Sequence, residues 1–123
     1  MSTERRKHTR YPVNWSGRML LADKSIVPVK IKNISKGGLM LEAHQAISNG
    51  TELGIEFSLP GSSEPMRVRA FVIVRFVGVL ADNRGAALGV EFSRISREEM
   101  HTFSNILQYL EREHEDPSGS AAE

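Results

Sequence analysis

Hydrophobic and polar residues alternate with a period of two through most of the chain. Six such runs lie between residues 12 and 94. Their apolar positions are Val13, Trp15 and Met19; Val27, Val29 and Ile31; Leu39, Leu41 and Ala43; Leu53, Ile55, Phe57 and Leu59; Val68, Ala70, Val72, Val74 and Phe76; and Ala86, Leu88, Val90 and Phe92. Successive side chains of a β-strand point to opposite faces, so each run predicts a strand with one face to bury.

Short segments rich in turn-forming residues separate these runs, at residues 22–25, 35–38, 48–50, 60–63 and 82–85. Most of them are too short to hold a helix, so neighbouring strands are expected to pair mainly antiparallel. Six short strands with one apolar face each close most economically into a barrel, which also hides the sheet edges. The predicted fold class is therefore all-β with a C-terminal helix, built on a six-stranded antiparallel β-barrel.

The period changes from two to that of a helix after residue 95. Ser96 and Glu99 have the spacing of a capping box, with Ser96 as the N-cap and Glu99 reaching back to it. Apolar residues then recur at helical spacing, at Met100, Phe103, Leu107 and Leu110. An amphipathic helix over residues 97–112 is predicted, with the barrel as the simplest partner for its apolar face and another protein as the alternative.

The chain is expected to contain one domain with loose ends. Residues 1–11 form a flexible leading segment, residues 12–112 the barrel and helix, and residues 113–123 a disordered tail. The tail is polar and holds Pro117 and Gly119. The whole chain has 123 residues, which is enough for one compact core and too few for two.

Composition excludes several classes of protein. There is no cysteine, which removes disulfides, thiolate metal sites and thiol catalysis. No run of about 18 apolar residues is present, so membrane insertion is not expected. The N-terminus lacks the apolar stretch of a secretion signal, and a cytoplasmic location is expected.

No pattern in the sequence indicates an enzyme. The four histidines, at positions 8, 44, 101 and 114, have no metal-site spacing, and no phosphate-cradling glycine loop is present. Ser35 has no nucleophile elbow around it. We therefore expect no catalytic residue, no bound metal and no cofactor.

Charge is distributed unevenly along the chain although the net charge is only +1. Residues 1–10 carry four basic residues against one acidic residue, and residues 96–123 carry two basic against seven acidic. The basic leading segment suits an anionic ligand, whereas the acidic end argues against nucleic-acid coating. An alternative interpretation of the leading segment is a solvated, disordered terminus.

The leading segment carries an R-x-x-x-R pair at Arg6 and Arg10, preceded by Arg5. A guanidinium group can bond guanine O6 and N7 together, clamp a phosphate, or lie flat on a purine ring. Lysine does these things less well. In an extended segment the two arginines point to the same side, roughly 13 Å apart.

A second motif, N-x-S-x-x-G, is formed by Asn33, Ser35 and Gly38 between two strand runs. Asn33 and Ser35 have the parity of the buried face, so we expect the strand to end here and both side chains to face a ligand or cap the turn. Gly37 and Gly38 permit positive φ and close approach of a flat ring to the backbone. An ordinary hairpin turn is the alternative.

In this order and on this strand pattern, the two motifs resemble those of the PilZ domain family over roughly residues 4–112. The resemblance implies a receptor for the bacterial second messenger cyclic di-GMP. Arg6 and Arg10 would clamp its guanines and phosphates, Asn33 and Ser35 would bond a guanine, and Gly37 and Gly38 would leave room for it.

The resemblance also implies finer features of the site. An arginine at the position of Arg5 is associated in the family with a stacked pair of ligands, so two molecules per chain are expected. Gly89 lies on the outward face of its run and either leaves room for a base or marks a bulge. Lys36 either approaches a phosphate or is an exposed turn residue.

The expected mechanism is an order–disorder switch. Ligand binding pins residues 1–11 to the barrel, and the reorganised surface is read by an unidentified downstream protein. Two alternatives stay open. One is a small-barrel nucleic-acid-binding protein, disfavoured by the few aromatic residues left for stacking; the other is a PilZ-like adaptor that binds only protein.

Overall fold

The computed structural model describes residues 9–61, 66–81 and 84–122, with side chains as far as Glu113. The elements of this part are β1 (Tyr11–Leu20), β2 (Ile26–Ser35), β3 (Gly38–Ala43), β4 (Glu52–Ser58), β5 (Arg67–Val79), β6 (Ala86–Arg94) and α1 (Arg97–Ala122). The strands close a barrel in the order β1-β2-β3-β6-β5-β4, and neighbouring strands are antiparallel. The predicted fold class is confirmed.

Inward-facing side chains from all six strands fill the barrel. Those with at most 3% of their surface exposed include Met19, Ile31, Leu41, Ile55, Val72 and Leu88. Burying one such large side chain contributes roughly 1.5–3 kcal/mol to stability. All six stand at predicted inward positions. The register of the sheet shifts at four places, and two of these are bulges in β2 and β5 that move site-facing residues.

The first bulge lies in β2 at Lys32. The pairing with β3 is regular up to Ile31 and resumes at Asn33, so Lys32 has no opposite residue on β3. One extra residue exchanges the two faces of a strand. Ile34 is therefore fully buried, while Asn33 and Ser35 beside it point away from the core. The expectation that the strand ends at this point is wrong, because β2 continues to Ser35.

The second bulge lies in β5 at Arg75. Val74 is opposite Val90 and Phe76 is opposite Gly89, so Arg75 is the extra residue. Phe76 is consequently 53% exposed on the outer surface. The expectation that Phe76 shares the buried face of Val74 is wrong, because the bulge changes the parity between them.

Helix α1 begins where the sequence predicts. The Ser96 hydroxyl accepts the backbone N–H of Glu99 at 3.1 Å, which satisfies one free donor of the first turn. The Glu99 carboxylate, predicted to reach back to Ser96, accepts the backbone N–H of Arg69 at 2.7 Å. This bond ties the first turn of the helix to β5.

The apolar face of α1 packs on the chain's own barrel. Phe103 is fully buried, with its ring centroid 4.8 Å from that of Phe92 and 6.3 Å from that of Phe57. Ile106 and Leu110 are also buried. The sequence left open whether this face meets the barrel or another protein, and the structure shows the barrel.

The helical backbone continues to Ala122, past residue 112, where the sequence predicts the helix to end and a disordered tail to begin. Glutamate and arginine at positions 111–113 are good helix formers, so a helix can extend here without burying a face. Within the described ranges, no helix is long and apolar enough to cross a membrane.

An exposed cluster next to β4 makes stability depend on pH. The Glu52 carboxylate accepts bonds from Arg94 (3.1 Å) and from the Ser93 hydroxyl (2.7 Å). Bonding to Arg94, and then to Ser93, lowers the pKa of Glu52 below its ordinary value of 4.5. The resulting stabilisation is fully present above the unfolded-state pKa and is lost as pH falls through the lower folded-state pKa.

We therefore expect Glu52→Gln to flatten the fall in stability between pH 6 and pH 3, because the variant has no carboxylate to protonate. Urea unfolding at several pH values measures this slope. Arg94→Gln removes the larger of the two causes and should flatten the slope in part, because the bond from Ser93 remains. A Glu52→Gln variant that follows the wild-type profile throughout would contradict the expectation.

Candidate ligand-binding site

The register of the sheet aligns Pro12, Asn33, Met40, Gly89 and Phe76 in one row across β1, β2, β3, β6 and β5. We call this row the outer strip. Adjacent strands lie about 4.8 Å apart, so the strip spans roughly 19 Å of the barrel's outer surface. Because the bulges in β2 and β5 shift the alternation of side chains by one residue, Asn33 and Phe76 face outward.

Gly89 forms a shallow hollow in the outer strip. A Cβ atom placed on it would lie 3.1 Å from the Phe76 Cβ and 3.6 Å from the Met40 Cε. The exposed ring of Phe76 and the thioether of Met40 therefore flank a spot with no side chain. The prediction that Gly89 faces outward is confirmed, and the bulge lies opposite it on β5 rather than at Gly89 itself.

Met40 and Phe76 were not identified from the sequence as site residues. Phe76 has the parity of the core face, and only the bulge moves it outward. For the bulge in β2, the sequence did hold a signal: a regular alternation would put the polar side chains of Asn33 and Ser35 in the core. A bulge resolves that conflict as well as a strand end does.

A second row lies beside the outer strip and consists of Ser35, Gly38, Glu91 and Ile73. The Ser35 Oγ is 3.5 Å from the carbonyl oxygen of Gly38, at the limit of a hydrogen bond, so the hydroxyl is weakly held. Glu91 accepts a bond from the Arg75 Nε at 2.8 Å. In this row the Ser35 hydroxyl therefore lies on one side of Gly38 and the Glu91 carboxylate on the other.

Gly38 is required by the packing of strands. A Cβ atom there would lie 2.0 Å from the carbonyl oxygen of Val90 and 3.1 Å from the Cα of Glu91. The neighbouring Gly37 carbonyl accepts the backbone N–H of Phe92 at 3.3 Å. Gly37 and Gly38 permit a positive φ but do not use it, because among the described glycines a positive φ occurs only at positions 50, 61 and 85.

The leading segment joins the barrel next to the motif. Tyr11 and Pro12 pair with Ile34 and Asn33, and Arg10, directly before them, is exposed. The structure thus brings Arg10 close in register to Asn33. Arg5 and Arg6 lie outside the described residues.

A cavity of about 460 Å³ lies between the leading segment and the helix. Thr9, Tyr11 and Lys36 line one side, and α1 lines the other with residues that include Met100 and Leu107. Lys36 is exposed on the turn between β2 and β3. The end of the leading segment, the motif turn and the helix therefore meet at one end of the barrel.

The charge, shape and polar groups of this surface suit a flat anionic ligand. Arg10 and Lys36 supply positive charge at one end, the outer strip supplies an apolar surface, and Asn33 and Ser35 supply short polar groups. Within the described residues, no group of three or more His, Cys, Asp or Glu side chains could hold a metal ion.

A separate apolar groove of about 610 Å³ lies at the end of β1 remote from Arg10. Its lining includes Leu20, Ile26, Gly54 and Phe71, and none of the residues predicted from the motifs. Arg94 stacks over the Phe71 ring at 4.3 Å and is bonded to Glu52. This groove is not part of the candidate site.

Comparison with known proteins gives one family. The sequence model of the PilZ domain matches residues 4–111. No curated protein matches the sequence.

Solved structures share the fold at low sequence identity. The inhibitor of motility MotI (DgrA) of Bacillus subtilis superposes with a TM-score of 0.75 at 18% identity, covering 91% of this chain and 52% of that one. The PilZ domain of YcgR from Escherichia coli, solved with c-di-GMP, gives 0.70 at 17% identity, covering 94% and 98%. MrkH of K. pneumonia, in its c-di-GMP complex, gives 0.71 at 16%, covering 90% and 53%. The chain thus spans about half the length of MotI and MrkH.

Proposed function

Because the chain belongs to the PilZ domain family, we propose that it is a receptor for cyclic di-GMP. We propose that the ligand binds on the outer strip. The register of the strands is the observation that supports this proposal. Asn33 faces outward in the same row as the hollow at Gly89, and the leading segment with Arg10 joins β1 opposite it. The ligands named for the YcgR and MrkH structures support the choice of nucleotide.

Each group in the proposed site has a distinct task. Arg6 and Arg10 clamp guanine edges and phosphates with their planar donors. Asn33 and Ser35 bond a guanine, and Lys36 approaches a phosphate. A base of the ligand lies over the hollow at Gly89, and its ring contacts the ring of Phe76. None of these residues has a catalytic role in the proposal.

Output is proposed to follow from ordering of the leading segment. Ligand would hold residues 1–11 against the barrel, and this changes the surface around the cavity shared with α1. The cavity supports the proposal because Thr9 and Tyr11 line it together with the helix. A downstream protein in the cytoplasm would then read the altered surface.

Calorimetric titration with cyclic di-GMP tests the receptor assignment. We expect a dissociation constant of about 1 μM or lower, because several charge-assisted bonds converge on one ligand. Arg5 predicts a stoichiometry of two ligands per chain, since its guanidinium can stack on a further guanine. A value of one would remove that role of Arg5, and no detectable binding at micromolar concentrations would reject the receptor.

The exposed ring of Phe76 favours a second candidate, a small-barrel binder of single-stranded nucleic acid, because bases stack on such rings. The two candidates differ in their salt dependence. Affinity for an oligonucleotide falls steeply between 50 and 200 mM salt, whereas a stoichiometric guanine site keeps its selectivity. Titration with an unrelated oligonucleotide at both salt concentrations distinguishes them.

A further inference from the structure

We propose that Glu91 reads the base edge of a bound guanine and so determines which cyclic dinucleotide is accepted. This inference rests on the proposed function, because it concerns the same site. Neither motif contains Glu91, which lies on β6 more than fifty positions after Asn33. Its place beside the site results from the pairing of β3 with β6.

The backbone geometry leaves a clear path between Glu91 and the motif. Ser35, Gly38 and Glu91 are successive members of one row, so Ser35 and Glu91 are two strand spacings apart, about 10 Å. Gly38 between them has no side chain and tolerates none. A base lying over Gly38 and the hollow at Gly89 would therefore have Ser35 on one side and the Glu91 carboxylate on the other.

The carboxylate of Glu91 is held in place but remains accessible. Its bond to the Arg75 Nε measures 2.8 Å, and both side chains are more than half exposed. An exposed pair of this kind is weak and can exchange partners. Arg75 stands at the β5 bulge, next to Phe76. The pair thus lies at the edge of the proposed stacking surface.

Guanine is the base whose edge fits a carboxylate. Its N1–H and its 2-amino group are adjacent donors, and an ionised carboxylate only accepts. Adenine presents an acceptor at N1, which the carboxylate repels. The same negative charge repels phosphate, so Glu91 faces a base while Arg10 and Lys36, nearer the motif turn, face the phosphates.

Two substitutions at position 91 test the inference by titration with three ligands. These are cyclic di-GMP, its inosine analogue without the 2-amino groups, and cyclic di-AMP. Glu91→Ala should lower the affinity for cyclic di-GMP by about 10- to 100-fold, as expected for lost bonds to a charged acceptor. It should also remove most of the preference for guanine over the inosine analogue.

Glu91→Gln gives a signature that a purely structural role would not produce. A glutamine amide can donate to adenine N1 and accept from the adenine amino group. The ratio of the affinities for cyclic di-GMP and cyclic di-AMP should therefore fall by about tenfold or more in this variant. Circular dichroism and urea unfolding establish that both variants keep the fold.

Glu52→Ala is the matched control, because Glu52 is an exposed glutamate with its own arginine partner, two strands further along the same row. It should keep wild-type affinity and preference. If wild-type protein binds cyclic di-GMP and Glu91→Ala keeps both the affinity and the preference, Glu91 does not read the base. If wild-type protein binds no cyclic di-GMP, the receptor proposal fails, and the role of Glu91 fails with it.

Discussion

Replacing Arg6 or Arg10 with alanine is expected to lower the affinity for cyclic di-GMP by about 10- to 150-fold each. This range corresponds to the 1.5–3 kcal/mol of hydrogen bonds made by a charged group. The double variant should show no binding at micromolar ligand, because it lacks both planar donors of the R-x-x-x-R pair. Isothermal titration calorimetry measures both effects.

Lysine at position 10 separates charge from shape. Arg10→Lys keeps the positive charge but loses the planar fork that bonds a guanine edge or a phosphate twice. Its affinity should lie between those of the wild type and Arg10→Ala. An affinity equal to that of the wild type would mean that Arg10 contributes only a diffuse positive field.

Arg97→Ala is the matched control for the arginine variants. Arg97 is an exposed arginine at the start of α1, so the substitution removes the same side chain and the same charge. Affinity should stay within about twofold of the wild type, because only the net charge changes. Loss of binding in Arg97→Ala equal to that in Arg10→Ala would show that overall charge, rather than a clamp, holds the ligand.

The sequence predicts the barrel well because period-two alternation is a local signal. Each strand needs one buried face, and residues such as Met19, Leu41 and Leu88 mark that face without knowledge of their partners. The helix start is equally local, since Ser96 bonds the N–H of Glu99 three residues away. These features therefore follow from short stretches of sequence.

The bulges are the part that local patterns miss. A single extra residue, Lys32 or Arg75, exchanges the inward and outward faces for the following residues of its strand. Neither residue is a glycine, the residue type that often marks a bulge. The sequence consequently places Phe76 on the wrong face, and it explains the outward direction of Asn33 by a strand end rather than by a bulge. The outer strip depends on both bulges at once, so it becomes visible only when the register of five strands is known.

The partners of Glu91 are invisible in the sequence for a related reason. Gly38 and Glu91 are opposite each other only because β3 pairs with β6, a contact between distant parts of the chain. The resemblance implies that Gly38 contacts the ligand, and the packing shows that its missing side chain makes room for the carbonyl oxygen of Val90. The packing thus supplies a physical reason for glycine at position 38 that the sequence did not reveal, and the ligand contact stays a prediction.

Replacing Gly38 with alanine is expected to destabilise the fold by about 3 kcal/mol. The added Cβ would lie 2.0 Å from the Val90 carbonyl oxygen, closer than real contacts allow, and the obstacle is backbone rather than a side chain that can rotate. Relief requires β3 and β6 to separate, which weakens their ladder; overpacking of this kind typically costs 1–3 kcal/mol or somewhat more. Urea unfolding measures the loss.

Gly89→Ala is the informative comparison, because it adds the same methyl group on the outer strip. Its nearest neighbour would be the Phe76 Cβ at 3.1 Å, a crowding that a shift of a few tenths of an ångström relieves, and the Met40 Cε at 3.6 Å is at ordinary contact distance. Stability should therefore change by less than about 1 kcal/mol, while affinity for cyclic di-GMP falls because the hollow is filled. If Gly38→Ala were instead as stable as the wild type and lost only ligand binding, clearance for the ligand would be the reason for glycine at position 38.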